Sequence, residues 1–280
     1  MTPIMPAPRK IQISTHLTLS YVDVGDPRAR DVVVLLPGLS DSWRSYERVL
    51  PYLPASIRTV AISQRGHGDS DKPHTNYSVR DYAADLSLFF DALELPRAVV
   101  AGHSSASLVA RCFALDHAER VVGLILEGSF IELGHHAAAV GAELSALKDP
   151  IAREFVRAFV DGTFVRPVPR DYLDAMIEES LKAPARVWRE TFASVLDFND
   201  ANELAALRMP TLIMWGDRDA IIDREATETL ARSIPNSSLL AFEGVGHTPH
   251  WEDPERFARG IVTFVEHCAS HGTSGTLPPL

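Results

Sequence analysis

Short apolar runs rich in β-branched residues recur along the chain and predict strands that are buried on both faces. They are Val32–Leu36, Arg58–Ile62, Ala98–Ala101, Val121–Leu126 and Thr211–Trp215. Continuous Val, Ile and Leu runs of this kind are typical of parallel sheets, which are covered on both sides. An earlier segment, Leu17–Val24, alternates apolar and polar residues. We expect it to form an antiparallel strand at the edge of the sheet.

Longer segments with apolar residues at helical spacing lie between these strands. In Ser78–Leu93 and in Pro254–Cys268 the apolar side chains fall on one stripe of a helix. Strands that alternate with helices predict an α/β fold with right-handed crossovers.

The alternation of predicted strands and helices is interrupted in the middle of the chain. Pro150–Val160 and Arg170–Leu181 have helical periodicity, and no segment from 130 to 207 has the pattern of a buried strand. We predict a helical cap insertion at 130–207 within a core of residues 1–129 and 208–270, followed by a flexible tail at 271–280. An insertion at the carboxyl edge of a parallel sheet would cover the crevice where such sheets bind ligands.

Composition narrows the class of protein. Of 280 residues 46% are hydrophobic and 23% are charged, and the net charge is −10. An acidic chain without a basic stripe is a poor partner for nucleic acid or an anionic membrane. No apolar run approaches the roughly 20 residues that span a bilayer. The only two cysteines, Cys112 and Cys268, could form one bridge but not a disulfide framework. We expect a cytoplasmic protein.

The segment after Ala98–Ala101 carries the strongest candidate for chemistry. It reads GHSSAS over residues 102–107 and leads into a helical run. A serine on a sharp turn between a strand and a helix needs small neighbours, because the backbone approaches itself closely there. Gly102 meets this need, and Ala106 stands where glycine is usual. The amino end of the helix favours developing negative charge, so Ser104 is the candidate nucleophile. A plain N-capping serine is the alternative.

An acid and a base follow later in the chain. Asp217 and Asp219 come directly after Thr211–Trp215, where a carboxylate could hold a histidine tautomer, although loop aspartates also form turns. His247 lies in a glycine-containing loop, with His250 as its neighbour. Histidine is the natural general base because its pKa is close to neutrality. A solvated loop histidine is the alternative.

The chain order serine, acid, histidine is that of one fold. Together with the stretches Leu36–Leu39, Gln64–Ser70 and His247–Phe257, it makes the chain resemble the α/β-hydrolase superfamily. The resemblance is to its small cap-bearing branch of serine esterases, haloperoxidases and epoxide-hydrolase-like proteins, and it covers nearly the whole chain. It implies a mostly parallel eight-stranded sheet flanked by helices, with a helical cap insertion.

The resemblance also implies roles for individual residues. Ser104 would be the nucleophile, His247 the base and Asp219 the acid, with the backbone N–H groups of Leu39 and Ser105 as the oxyanion hole. Pro37 replaces the histidine that relatives commonly have before the glycine of this loop, here Gly38. We therefore expect the hydrogen bonds around this loop to differ from those of relatives.

The implied reaction is hydrolysis of a carboxylic ester or lactone without a cofactor. A C–C bond hydrolase and a cofactor-free perhydrolase use the same three residues and stay open, as does a ligand-binding receptor on this fold. An aspartate nucleophile would be needed for dehalogenation or epoxide opening.

Other residues are weaker candidates for chemistry. Glu127 ends a predicted strand where some relatives place the acid. Gln64–Ser70 lacks the lysine of a phosphate loop and is interpreted as a turn. His135 and His136 form a close pair, but without further ligand spacing no metal site is expected.

Overall fold

The computed structural model describes residues 6–134 and 137–271, with the side chain of His271 left out. Within these ranges eight strands form one sheet. They are β1 (Arg9–Ser14), β2 (Leu17–Val24), β3 (Asp31–Leu36), β4 (Ile57–Ser63), β5 (Ala98–His103), β6 (Val121–Glu127), β7 (Thr211–Gly216) and β8 (Ser237–Phe242). The predicted pair His135 and His136 lies outside the described residues. So does the predicted tail, apart from the backbone of His271.

The strand order is β1-β2-β4-β3-β5-β6-β7-β8. From β4 to β8 each neighbouring pair is parallel. β2 is antiparallel to both β1 and β4. The predicted mostly parallel eight-stranded sheet is confirmed. The expectation that Leu17–Val24 forms an edge strand is wrong, because β1 pairs outside it; β1 is short and largely exposed, so its hydrophobic pattern is weak.

Successive side chains of a strand point to opposite faces of the sheet, and both faces are buried here. Val34 and Leu36 of β3 belong to a large apolar cluster, whereas Val33 and Leu35 belong to a second cluster on the other face. This explains why the parallel strands read as continuous apolar runs rather than as alternating ones.

The helices cover both faces of the sheet. They are α1 (Val79–Ala92), α2 (Ser105–Asp116), α3 (Ala137–Ser145), α4 (Arg153–Asp161), α5 (Arg170–Leu181), α6 (Ala185–Asp197), α7 (Arg224–Ser233), α8 (Pro249–Glu252) and α9 (Pro254–His271). Apolar residues of α1 and α2 join the first cluster. Phe257, Ile261 and Phe264 of α9 join the second.

Four of these helices, α3 to α6, lie between β6 and β7 in the chain. We call residues 130–207 the insertion; its bounds are those predicted from the sequence. The rings of Phe155 and Phe159 meet Trp188 edge to face, with centroids 6.0 and 5.0 Å apart. A buried ion pair joins the insertion to the core, because Asp200 accepts two bonds from Arg111 of α2, at 2.8 and 2.9 Å.

Candidate active site

Ser104 lies on the sharp turn between β5 and α2. Its φ of 51° and ψ of −122° are unusual for an L-residue, and such strain collects at functional sites. The turn requires Gly102, since a Cβ there would lie 2.3 Å from the carbonyl oxygen of Ala106. Ala106 is fully buried in this contact. The hydroxyl of Ser107 donates to the Ser104 carbonyl at 2.6 Å, which holds the turn to the first residues of α2.

The loop after β3 faces this turn. Leu39, Ser104 and Ser105 line one cavity. Ser105 is the first residue of α2, so its N–H is among those that a helix leaves without an internal acceptor. Pro37, which replaces the usual histidine, accepts a hydrogen bond from the side chain of Gln64 at 3.1 Å. The loop therefore has a side-chain support despite this departure from the family pattern.

The histidine and the acid predicted from the sequence are paired. Nδ1 of His247 and Oδ2 of Asp219 are 2.7 Å apart, and both side chains are buried. The other oxygen of Asp219 accepts the N–H groups of Ile221 and Ile222, at 2.8 and 3.0 Å. Asp217 instead accepts the N–H of Gly244 at 2.6 Å. Of the two candidate acids, Asp219 is thus the one at the histidine.

The ring of His247 is oriented by close packing. Gly128, at φ 54°, lies against it, and a Cβ there would come within 2.7 Å of Cε1. Burial lowers the pKa of His247, but the charge and hydrogen bond of Asp219 outweigh this and raise it overall. His247 and Ser104 line the same small cavity. Sequence reasoning missed Gly128, although a glycine directly after a strand end is a signal that could have found it.

Glu127 and His250, the rivals for acid and base, are paired with each other. Oε1 of Glu127 is 2.7 Å from Nδ1 of His250, and both side chains are buried. Nε2 of His250 lies 2.8 Å from the hydroxyl of Ser45. Burial raises the pKa of Glu127 to about 7 and lowers that of His250 well below its usual value. A second acid–histidine pair therefore lies beside the first.

Asp41 is the polar residue of the site that sequence reasoning missed. It lines the small cavity with Ser104 and His247, and its Oδ2 accepts the hydroxyl of Ser45 at 3.0 Å. Burial raises the pKa of Asp41 to about 7. Its signal in the sequence was a carboxylate two residues beyond Leu39.

Among the described residues one group offers metal-ligand chemistry. Donor atoms of Asp41, His103 and His250 lie within 4.8 Å of one another, and Nδ1 of His103 is buried without a hydrogen-bond partner in the described part of the chain. Ser45, however, already bonds the donor atoms of two of the three. The group is better described as a hydrogen-bonded cluster than as a metal centre.

Two cavities meet at Ser104. The larger, of about 370 Å³, runs under the insertion, and most of its described walls are apolar. Its apolar lining includes Phe130, Leu133, Val140, Leu144, Phe155, Phe159, Phe192, Val195 and Ile221. The smaller, of about 50 Å³, is also mostly apolar, but Asp41, His103 and His247 are among the residues that line it. A substrate could place an apolar group in the first cavity and a reacting polar group at the mouth of the second.

Gln64–Ser70 forms a turn, as interpreted from the sequence. His67 donates its N–H to the carbonyl of Gln64 at 3.0 Å, and Ser70 donates to that of His67 at 3.1 Å. Gly66 and Gly68 have positive φ values of 80° and 49°.

No helix in the described part of the chain has the length and apolar character needed to cross a membrane.

Comparisons with known proteins agree with this fold. The sequence model of the "Alpha/beta hydrolase family" matches residues 33–260. A 2-hydroxy-6-oxononadienedioate/2-hydroxy-6-oxononatrienedioate hydrolase from Pseudomonas putida is 29% identical over 280 residues, covering 90% of this chain and 92% of the relative.

Solved structures give the same picture. An esterase from Rhodococcus sp. ECU1013 superposes with a TM-score of 0.80 at 26% identity, covering 92% of this chain and 98% of that one. A putative aryl esterase from Burkholderia cenocepacia reaches a TM-score of 0.85 at 21% identity, covering 95% of this chain and 100% of its own.

Proposed function

We propose that this chain, which belongs to the alpha/beta hydrolase family, cleaves a carboxylic ester or lactone through an acyl-enzyme on Ser104. His247 is the general base and Asp219 its acid partner. The observation that carries the proposal is the 2.7 Å pair of His247 and Asp219 beside the cavity that Ser104 also lines. A strained serine, a buried acid–histidine pair and a shared cavity are the parts that nucleophilic catalysis requires.

The reaction proceeds in two steps. His247 takes the hydroxyl proton of Ser104 as its oxygen attacks the substrate carbonyl carbon, and the same proton then passes to the leaving alcohol. Water attacks the resulting acyl-enzyme, gives a proton to His247, and the acid is released as Ser104 recovers that proton. The N–H groups of Leu39 and Ser105 stabilise the oxyanion in both steps; one such donor contributes about a hundredfold or more to the rate.

The larger cavity supports an ester with an uncharged acyl group. Its volume of about 370 Å³ suits a small molecule, and its walls are mostly apolar. Of the described residues that line it, Glu143 is the only one with a formal charge. An anionic acyl group would meet no lysine or arginine on these walls.

A second candidate is a C–C bond hydrolase, which the relative from Pseudomonas putida favours. That relative's name specifies a dioate, which carries two carboxylates. The described lining offers no cation to pair with a carboxylate, so an uncharged ester or lactone ranks first. The described lining of this cavity has no feature that favours a perhydrolase or a ligand-binding receptor over an esterase.

Two sequence predictions accompany this function. We propose that residues 130–207 act as a cap on a core of residues 1–129 and 208–270. A cytoplasmic location is consistent with Cys112 and Cys268, which are both buried and free.

The test is covalent labelling combined with turnover. A fluorophosphonate should label wild-type protein at Ser104, and mass spectrometry of the labelled peptide identifies the residue. Ser104→Ala should lose labelling and about a millionfold in kcat. Ser270→Ala, at an exposed serine on α9, is the matched control and should keep both. Ester hydrolysis that persists in Ser104→Ala would disprove the acyl-enzyme, and turnover of dioates in preference to esters would favour the second candidate.

A further inference from the structure

A continuous hydrogen-bonded chain runs from beneath the nucleophile turn to the small cavity. Glu127 bonds Nδ1 of His250 at 2.7 Å, and Nε2 of His250 is 2.8 Å from the hydroxyl oxygen of Ser45. That oxygen is in turn 3.0 Å from Oδ2 of Asp41. Trp251 donates its indole N–H to the same hydroxyl at 2.9 Å. All members of the chain are buried.

This hydrogen-bonded chain needs one hydrogen more than it would hold with Glu127 and Asp41 both ionised and His250 neutral. Its three links, from Glu127 to His250, His250 to Ser45 and Ser45 to Asp41, need three hydrogens. Ser45 has one and a neutral imidazole has one. Since burial lowers the pKa of His250, the third hydrogen resides on a carboxyl group. Glu127 and Asp41, whose pKa values burial raises to about 7, therefore share it.

Both placements of this proton leave the same atom of Asp41 free. With the proton on Glu127, His250 donates to Ser45 and Ser45 donates to Asp41. With the proton on Asp41, each of these bonds reverses. In either case the bond to Ser45 uses Oδ2, and Oδ1 accepts no hydrogen bond from a described residue. Asp41 lines the small cavity, and Oδ1 is its one oxygen without a described hydrogen-bond donor.

We propose that Asp41 holds the water that hydrolyses the acyl-enzyme, and that the chain to Glu127 stores the proton that keeps Asp41 an acceptor. The small cavity, of about 50 Å³, has room for a few water molecules, and its walls include Asp41, His247 and Ser104. The water donates one hydrogen to Oδ1 of Asp41 and the other to His247.

The step balances without a further reactant. The water oxygen bonds to the acyl carbon, its proton moves to His247, and that proton returns to the Ser104 oxygen as the acyl–oxygen bond breaks. Asp41 accepts a hydrogen bond and takes no proton. This inference rests on the proposed acyl-enzyme and adds a positioning residue to its second half only.

Other charged groups also face Asp41. They are Glu127 on β6, Glu179 on α5 and His247 after β8, with His103 on β5 and His250 on α8 close by, and the phenols of Tyr46 and Tyr172. The carboxylates of Glu127 and Glu179 raise the pKa of Asp41, whereas the Ser45 hydroxyl and His247 lower it. Substitutions along the chain should therefore shift the ionisation of Asp41 in opposite directions.

Burst kinetics with a p-nitrophenyl ester separates the two halves of the reaction. Asp41→Asn should keep the initial burst of p-nitrophenol, which reports acylation and a folded site, while steady-state deacylation falls about tenfold or more. Asp91→Asn, the same carboxylate-to-amide change at an exposed position on α1, is the matched control and should change neither phase.

The pH dependence distinguishes a role for Asp41 from a packing defect. As the pH falls, wild-type deacylation should decline more steeply than acylation, because it needs Oδ1 of Asp41 free as well as His247 neutral, and a second proton on Glu127 and Asp41 has no hydrogen-bonded link left to occupy. In Asp41→Asn the two slopes should become equal. Glu127→Gln should move the extra limb to lower pH, because a negative charge is lost, and Ser45→Ala should move it to higher pH, because a donor is lost.

Each other outcome overturns a defined part of the argument. If Asp41→Asn deacylates at the wild-type rate, or slows both phases equally, the water-holding role is wrong. If the limb does not move in Glu127→Gln and Ser45→Ala, the shared proton is wrong. If wild type forms no acyl-enzyme on Ser104, the proposed function fails first and this inference with it.

Discussion

The two cavities that meet at Ser104 differ in the part of the chain that walls them and in the reactive side chains that line them. The larger is walled mainly by the insertion, through residues such as Phe155 and Val195. The smaller is walled largely by loops at the carboxyl ends of core strands and carries Asp41 and His247. Under the proposed function, the insertion selects the acyl group and the core provides the reacting side chains. Each prediction below changes one side and leaves the other intact.

The largest effect is expected from the core. Asp219→Asn should lower kcat by about 10⁴-fold, because the amide no longer holds the correct imidazole tautomer. The fold should persist, since the amide oxygen can still accept the N–H groups of Ile221 and Ile222. Steady-state kinetics with circular dichroism tests this. Asp217→Asn is the matched control; a similar loss there, or in Glu127→Gln, would reassign the acid.

The pH dependence of acylation should also show that Asp219 acts on His247. His247 must be neutral to act as a base, and Asp219 raises its pKa. Wild-type acylation should therefore rise with pH through a midpoint above the ordinary histidine value of 6.5. In Asp219→Asn the residual activity should rise at lower pH. A midpoint that does not move would show that the two side chains are not coupled.

A substitution on the insertion should alter selection without altering chemistry. Val195 is buried and lines the larger cavity, so Val195→Phe should reduce the room for an acyl group. We expect kcat/KM to rise by about fourfold per methylene along an acyl series until the cavity is full. The variant should reach its plateau at a shorter chain. Leu196→Phe, at an exposed neighbouring position, should leave the series unchanged.

The smallest effect concerns charge. Glu143 lines the larger cavity at an exposed position. Glu143→Lys should raise kcat/KM for esters whose acyl chain ends in a carboxylate by about fivefold, as expected for one exposed charge, with neutral esters unaffected. High salt should reduce the gain. A wild-type enzyme that already prefers the charged esters would contradict the assignment of an uncharged acyl group.

Much of the fold could be predicted from local patterns. Runs such as Val32–Leu36 and Thr211–Trp215 are buried on both faces, so their composition alone indicates parallel strands. β1 escaped because its RKIQIS sequence is short and largely solvent-facing. A strand of this kind is defined by its partner β2 rather than by its own periodicity.

The site divides in the same way. Ser104, Asp219 and His247 each sit in a local pattern of small or turn-forming residues, so the sequence could identify them as candidates. Ser45 and His250 are 205 positions apart, and their contact depends on how the sheet and α8 pack. No local pattern encodes such a contact. Asp41 acquires its raised pKa only through burial in the folded chain.

The backbone around His247 is fastened to the insertion. The N–H of His247 donates to the carbonyl of Thr163 at 2.8 Å. Glu252, just beyond in the chain, accepts the N–H groups of Val165 and Arg166, at 2.8 and 2.6 Å. Lifting this edge of the insertion would displace the base itself. We therefore expect this edge of the insertion to stay in place during turnover, so that any opening of the insertion would hinge about it.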